Sequence, residues 1–303
     1  MPGIQYFDLR HVTGQVTHID IDNDVVESAG TSFFNKAVIR VLYKSGWGVL
    51  QVDNYTPVRG KKFDALLQSA CRLARITQEK VILGEAPRGI LALPPIKEDP
   101  RDVCIEEKSS LLLGIEQAAR HPSVVNRRAN YIEKIEHVRF TDSSENEYSY
   151  EMCRSGFNVL AVASRNDNVQ MASEREHSIH GFNLRHQQSL GEKAAGIATS
   201  LLDAGIPKGG KMRAVLDPEL AGVFAHEAVG HASEGDLICE GNSVLEGKTG
   251  QKIGNDNLTI IDDPGIFEFG FDPVDAEGVA VCRTEIIKNG VINAFLHNRE
   301  TLS

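Results

Sequence analysis

The chain has 303 residues, of which 41% are hydrophobic and 24% are charged, a composition typical of a globular protein with room for roughly two domains. The formal net charge of −10 disfavours nucleic acid as a partner, because an acidic surface repels phosphate backbones. No apolar run approaches the ~20 residues that a membrane-crossing helix needs, and the N-terminus lacks the basic and apolar parts of a secretory signal. We therefore expect a cytoplasmic protein without a membrane partner, whose five cysteines are reduced and mostly buried.

The first 120 residues carry signals for both strands and helices. Ala37–Leu42 and Gly48–Val52 are predicted to form a hairpin around Lys44-Ser45-Gly46. Apolar residues recur at helical spacing from Lys62 to Ile76 and from Glu106 to Arg120, which predicts two helices. A segment rich in glycine and proline connects them.

Residues 131–178 change to a strand pattern interrupted by polar turns. This pattern predicts an antiparallel meander, which a helix from about Gln187 to Ala204 then follows. The predicted strands of the meander are Ile135–Phe140, Tyr148–Cys153, Asn158–Ala163 and Val169–Ala172.

A domain boundary is predicted after this helix, which gives an N-terminal α+β domain over residues 1–206 and a C-terminal domain over residues 207–303. The second domain is expected to open with a short strand, Met212–Leu216, and then a helix with Asp217 as its N-cap and Pro218 at its first position. Near its end, Val279–Ile287 and Val291–Leu296 are predicted to form a hairpin around Asn289-Gly290. The predicted fold class is α+β: a mixed helix and antiparallel-sheet domain, followed by a strand-rich C-terminal domain that carries the helix capped by Asp217.

The helix that begins at Asp217 contains His226-Glu227-Ala228-Val229-Gly230-His231, an HExxxH pattern. It resembles the HExxH of zinc peptidases with one residue inserted. In HExxH, two imidazoles hold a zinc ion that lowers the pKa of a bound water, and the glutamate moves the proton of that water to the leaving amine. The pattern alone favours a metal site over a chance coincidence of these residue types.

The inserted residue changes the geometry that this site requires. On a regular α-helix, residues five apart lie roughly 140° apart around the axis, so two such imidazoles would not meet one ion. The spacing is compatible with a metal site if the helix makes a local i→i+5 turn, or if it ends just before His231. Gly230 is expected to ease either distortion. The sequence therefore predicts a non-ideal helix at this point.

The string from His226 to His231, followed by Glu234-Gly235-Asp236, is similar to the signature of the TldD/PmbA family of metallopeptidases. The resemblance covers most of the chain and is weakest before about Ser28. It implies His226 and His231 as ligands of a zinc cofactor and Glu227 as the general base. It also implies that the substrate is a peptide or an unfolded small protein. The partner that it implies is a second subunit, either a copy of this chain or a relative that lacks the motif.

The resemblance also implies a third ligand, a cysteine in a Cys-Gly-Lys-like segment near the C-terminus. No such segment occurs before the end of the sequence, so this cysteine is expected beyond Ser303, and the metallopeptidase catalytic domain over residues 207–303 is expected to be incomplete at its C-terminus. Cys239, Glu240 and Glu246 are the internal alternatives, whereas Cys282 is expected in a strand of the core. Glu234 and Asp236 are expected either to orient an imidazole or to cap a helix end.

These patterns predict a zinc-dependent peptidase that acts through a metal-activated water. Two other functions remain open at this point: a zinc hydrolase of small amides or esters, and a non-catalytic structural subunit of a peptidase complex. The intact histidines and glutamate argue against the second, because scaffolding does not need them. Imidazole sites also accept other first-row metals, so the ion itself is open.

Overall fold

The computed structural model describes residues 3–77 and 80–302, and within them it shows two antiparallel sheets and five α-helices. The strands are β1 (Ile4–Asp22), β2 (Val25–Tyr43), β3 (Gly46–Asp53), β4 (Val124–Asp142), β5 (Glu147–Arg165), β6 (Asn168–Ser178), β7 (Ile260–Asp262), β8 (Thr284–Lys288) and β9 (Val291–Ile292). The helices are α1 (Lys61–Ala74), α2 (Ile105–Ala118), α3 (Gln188–Leu201), α4 (Pro218–Ala225) and α5 (Gly235–Cys239). Short 3-10 turns lie at Pro100–Asp102 and His231–Ser233, and a π-turn lies at His226–Gly230.

The large sheet has the strand order β3-β2-β1-β4-β5-β6, with each neighbouring pair antiparallel. In the turns of the β1–β2 and β2–β3 hairpins, both central residues adopt positive φ angles, as at Lys44 (51°) and Ser45 (66°). This arrangement confirms the hairpin that was predicted around Lys44 and the antiparallel character of residues 131–178.

Three helices cover one face of the sheet, because each has a stripe of small or apolar residues to bury. Helix α1 places Leu67 and Ala70 against Ile39 and Val41 of β2. Helices α2 and α3 form a second layer over β4 and β5. The members of this larger core include Ile19, Leu112, Ile115, Tyr131, Phe157, Val159, Ala194 and Ala198.

The opposite face of the long strands carries the C-terminal part of the chain. Val138 and Tyr150 are buried there with Phe271 and Val274, which come from an irregular segment. Gly278 lies flat against this face with a φ of 77°, and a Cβ at its position would come within 2.4 Å of the Phe140 ring. Only glycine fits such an approach, so the C-terminal segment is fixed to the sheet at this point.

Two strand predictions are wrong. Tyr148–Cys153 and Asn158–Ala163 belong to one continuous strand, β5, because the buried Ser155 and Gly156 continue the ladder between them. Met212–Leu216 forms no strand and pairs with no described strand; its residues are exposed, and Val215 is 95% accessible. An apolar run of residues forms a strand only where another strand is available to pair with it.

The other predicted elements are present in the structure, whereas β1, β7 and α5 were not predicted. The four predicted helices are confirmed, and Asn289 (φ 50°) and Gly290 (φ 78°) make the turn between β8 and β9, whose strands are shorter than expected. The fold is α+β, as predicted. The C-terminal part is not strand-rich, however, because its described residues form only the short strands β7, β8 and β9. The division of the chain at residues 206 and 207 stays a prediction. No helix in the described part of the chain combines the length and the apolar character that a membrane crossing requires.

Candidate metal centre

Helix α4 leads into the candidate site and begins as the sequence predicts. The Asp217 carboxylate accepts a hydrogen bond of 2.8 Å from the amide of Leu220, and Pro218 occupies the first helical position, where no amide proton is needed. The helix is apolar in composition, yet none of its residues is buried. Its start therefore depends on this local cap rather than on packing.

The helix then changes its hydrogen-bonding pattern at the HExxxH motif. Residues His226–Gly230 form a π-turn, in which the amide of His231 donates to the carbonyl of His226. An i→i+5 bond accommodates the extra residue within one turn, so the two histidines return to the same side. Their ring centroids lie 4.5 Å apart with an interplanar angle of 67°. Of the two geometries that the sequence left open, the structure has the local i→i+5 turn.

Gly230 does not ease this distortion in the expected way. Its φ of −54° and ψ of −61° lie in the right-handed helical region that every residue can adopt. A Cβ at this position would meet its nearest neighbours at 3.8 Å, an ordinary contact distance. The conformational freedom of glycine is therefore not what permits the π-turn.

The π-turn gathers a donor set for one cation. One ligand atom each from His226, Glu227 and His231 lies within 4.8 Å of the others, and all three residues are exposed. Zinc accepts imidazole ligands, and a carboxylate beside the ion can serve as a ligand or as a base. The residues present therefore fit a bound zinc ion, with an open side toward solvent.

Glu234 orients one of the two imidazoles. Its Oε1 lies 2.7 Å from Nδ1 of His231, and this hydrogen bond raises the pKa of the imidazole above its usual value. When Nδ1 carries the proton and donates it to the carboxylate, Nε2 keeps its lone pair for a metal. Glu234 is also the C-cap residue of the 3-10 turn His231–Ser233, where its amide donates to the carbonyl of His231. It therefore has both expected roles, whereas the Asp236 carboxylate accepts from the neighbouring amide of Leu237.

Backbone bonds to a second segment hold Glu234 in place. Leu296 accepts from the amide of Gly235 at 2.7 Å and donates to the carbonyl of Ser233 at 2.8 Å, which pairs Glu234 with Leu296 in a parallel bridge. A Cβ on Gly235 would lie 2.7 Å from Nδ1 of His297 and 2.8 Å from the Leu296 carbonyl. The absent side chain of Gly235 is what allows this close approach.

The internal alternatives for a third ligand lie apart from this group. Cys239 is exposed, and its nearest polar partner is the carbonyl of Thr301 at 3.9 Å. Glu240 accepts from the side chain of Asn242, and Glu246 lies beside Gly241. None of the three joins the ligand group of the motif.

Two expectations about cysteine are wrong. Cys282 lies outside the strands and is exposed, because its segment runs along the surface before β8 begins. Cys104 and Cys239 are also exposed, so only Cys71 and Cys153 of the five thiols are buried. All five are free.

Comparison with protein families gives three consecutive matches along the chain. Residues 7–76 match domain 1 of the PmbA/TldA metallopeptidases, residues 98–202 match their central domain, and residues 209–303 match their C-terminal domain. The HExxxH motif lies within the third match.

Curated relatives carry related names. A protein of Archaeoglobus fulgidus named metalloprotease is 32% identical over 303 residues, which cover 98% of this chain and 68% of that protein. A protein of Saccharolobus solfataricus named zinc metalloprotease TldD homolog is 28% identical over 184 residues, or 59% of this chain and 41% of its own.

Solved structures show the same fold. TldE from Thermococcus kodakarensis aligns with a TM-score of 0.74 at 17% identity, over 96% of this chain and 66% of its own. A protein of Bacteroides thetaiotaomicron, whose structure is described as that of a candidate modulator of DNA gyrase, aligns with a TM-score of 0.85 at 17% identity, over 99% of this chain and 69% of its own. The chain thus spans about two thirds of the length of most of these relatives.

Proposed function

Because this chain belongs to the PmbA/TldD metallopeptidase family, we propose that it hydrolyses peptide bonds, with His226 and His231 as zinc ligands and Glu227 as the general base. One observation carries this proposal: a π-turn brings both imidazoles of the motif together, with the Glu227 carboxylate within 4.8 Å. A regular helix would separate the imidazoles, so the local distortion favours a shared ion over a chance pattern.

Each residue of the site has a distinct task. A zinc ion bound here would lower the pKa of a water and polarise the scissile carbonyl. Glu227 accepts the proton of the attacking water and passes it to the amine that leaves. Its exposed position lets it reach a substrate that approaches from solvent. Glu234 holds the His231 ring so that Nε2 points away from the carboxylate.

The proposed substrates are peptides or unfolded small proteins, since a flexible chain can enter an exposed site in extended form. The proposed assembly is a dimer, either of this chain with itself or with a relative that lacks the motif. Helix α4 supports a further contact at this position, because its apolar residues Leu220, Val223 and Phe224 are exposed by 53%, 49% and 61%. A cytoplasmic location stays a prediction from the sequence.

The experiment that tests this function replaces Glu227 by Gln. Glu227→Gln removes the base but leaves both imidazoles, so the variant is expected to bind zinc as the wild type does and to lose peptide hydrolysis by roughly a hundredfold or more. Zinc content and the hydrolysis of an unfolded peptide are measured on the same samples, purified free of wild-type protein. His180→Gln is the matched control, since His180 lies outside the motif and bonds the carbonyl of Pro95.

Other outcomes of this experiment would favour the other functions. Full peptide hydrolysis by the isolated Glu227→Gln variant would show that Glu227 is not the general base. Full activity of a complex assembled from the Glu227→Gln variant and a partner subunit would indicate that this chain is a structural subunit. Turnover of small amides or esters without any peptide hydrolysis would indicate the small-molecule hydrolase.

A further inference from the structure

A cavity of about 390 Å³ is lined in part by Leu296, the residue that pairs with Glu234 of the candidate metal centre. Its volume is within the range of roughly 300–1,000 Å³ that is typical of ligand pockets. The segments around it come from the connector before α2, from residues 262–284 and from residues 295–302. The apolar residues among its lining include Pro87, Val279, Val281, Phe295, Leu296 and Leu302.

Leu296 connects this cavity to the metal centre. In the parallel bridge, Leu296 and Glu234 are directly opposite each other, so their side chains point to the same side. The Glu234 carboxylate contacts His231 on that side, at 2.7 Å. A peptide whose backbone lies at the imidazoles would therefore have a neighbouring side chain within reach of the cavity.

The charged groups in the lining are mostly engaged elsewhere. The Asp275 carboxylate accepts from the amides of Glu277 and Val279 at 2.8 and 2.7 Å. The Arg299 guanidinium lies over the Tyr6 ring and donates to the carbonyl of Gly84. Asp262 and His297 also line the cavity and are exposed to solvent. Mostly apolar walls with a few polar groups are the usual character of a site for an apolar group.

From this arrangement we infer that the cavity is a specificity pocket that receives an apolar side chain, such as that of leucine or phenylalanine, next to the peptide bond that is cut. This inference rests on the proposed peptidase function for its meaning, but the binding that it requires can be measured without catalysis. It selects peptides with an apolar side chain beside the scissile bond as the substrate class.

Cys282 provides a direct probe of the cavity. Cys282 is exposed and lines the cavity, whereas Cys104 at the start of α2 is also exposed but does not line it. A small thiol reagent modifies each cysteine, and mass spectrometry measures the rate of this modification. The measurement is repeated with increasing amounts of one of four acetylated and amidated peptides: Ala-Leu-Ala, Ala-Phe-Ala, Ala-Asp-Ala or Ala-Lys-Ala. The leucine and phenylalanine peptides are expected to protect Cys282 at roughly ten- to hundredfold lower concentrations than the charged ones, and to leave Cys104 unprotected.

A pair of substitutions tests the same inference from the protein side. Val281→Glu places a carboxylate in the cavity and is expected to weaken binding of the leucine peptide about tenfold or more, while it strengthens binding of the lysine peptide. Val244→Glu is the matched control. Val244 lies in the same matched domain, residues 209–303, but it is 73% exposed and does not line the cavity. A merely structural effect of Val281→Glu would weaken both peptides and would not reverse the preference.

The outcomes separate this inference from the proposed function. Apolar-selective protection of Cys282 without hydrolysis would support the pocket and contradict the peptidase. Hydrolysis at a rate independent of the side chain beside the scissile bond, together with equal peptide binding by Val281→Glu and Val244→Glu, would support the peptidase function and contradict the specificity pocket. Stronger protection by Ala-Lys-Ala in the wild type would also overturn it, since Asp262 would then dominate the recognition.

Discussion

The imidazole rings of His226 and His231 lie 4.5 Å apart because the amide of His231 bonds the carbonyl of His226, five residues earlier. This bond closes a π-turn around the residue that distinguishes HExxxH from HExxH. One local change in hydrogen bonding therefore restores the geometry that the inserted residue would otherwise destroy. Two imidazoles on one side of a helix can then share an ion.

Removal of the Glu234 carboxylate tests how His231 is oriented. Glu234→Ala leaves Nδ1 of His231 without its partner at 2.7 Å, so the ring can turn and change its tautomer. We expect zinc affinity to fall about ten- to a hundredfold, measured by competition with a chelator of known affinity. Asp236→Ala is the control, since that carboxylate bonds only the amide of Leu237 among the described polar contacts. Equal losses in both variants would contradict the role given to Glu234.

Two glycines near the site are expected to respond in opposite ways to alanine. A Cβ on Gly235 would lie 2.7 to 2.8 Å from His297, Thr301 and the Leu296 carbonyl, so Gly235→Ala must displace the segment that carries Glu234. We expect it to lower both zinc affinity and the free energy of unfolding. Gly230→Ala meets no contact closer than 3.8 Å and keeps a helical φ, so it is expected to retain zinc and to stabilise the fold by up to about 1 kcal/mol.

Chelator competition and urea unfolding of the two alanine variants check this pair. Loss of zinc affinity in Gly230→Ala, with none in Gly235→Ala, would mean that the flexibility of Gly230, rather than the contact with Leu296, governs the site.

A buried ion pair fixes α2 on the large sheet. Lys108 and Glu133 are 4% and 0% exposed, their charged atoms lie 2.6 and 2.7 Å apart, and the Tyr131 hydroxyl also donates to Glu133. Lys108→Met leaves the carboxylate buried without its cation, and we expect the free energy of unfolding to fall by about 3–5 kcal/mol. The double variant Lys108→Met with Glu133→Leu removes both charges and is expected to recover most of this loss.

Urea unfolding at neutral pH measures both variants, and the surface pair of Arg165 with Asp203 provides the comparison. Arg165→Met is expected to cost less than about 1 kcal/mol, since both side chains are more than half exposed. If the double variant is as unstable as Lys108→Met alone, the loss of unfolding free energy comes from altered packing rather than from the unpaired charge.

Local signals in the sequence account for much of the candidate site. The cap at Asp217, the HExxxH spacing and the orienting carboxylate of Glu234 could all be predicted, because each depends on residues a few positions apart. The choice between a π-turn and a helix end could not, since both satisfy the same spacing. The contact of Gly235 with Leu296 joins residues about 60 positions apart, and no local pattern indicates it.

The strands were predictable only where one face is apolar. Strand β1 lies between β2 and β4, but its middle residues, such as Thr13 and Gln15, are partly exposed and polar, so no alternation marks it. In β5, the Ser155 hydroxyl is buried because it donates to the carbonyl of Gly181 at 2.6 Å, and this polar residue interrupts the apolar pattern. Because a tertiary hydrogen bond of this kind allows a polar residue inside a buried strand, the sequence pattern does not indicate that the strand is continuous.

The most direct test of a shared ion is a double-mutant cycle on the two histidines. Zinc bound per chain, and its dissociation constant, are measured for the wild type, His226→Ala, His231→Ala and the double variant, with His180→Gln as the control. If both imidazoles hold the same ion, each single variant loses most of the affinity and the double variant is scarcely worse, because the first substitution already destroys the site. Wild-type affinity in either single variant, or losses that simply add, would show that His226 and His231 do not bind one metal together.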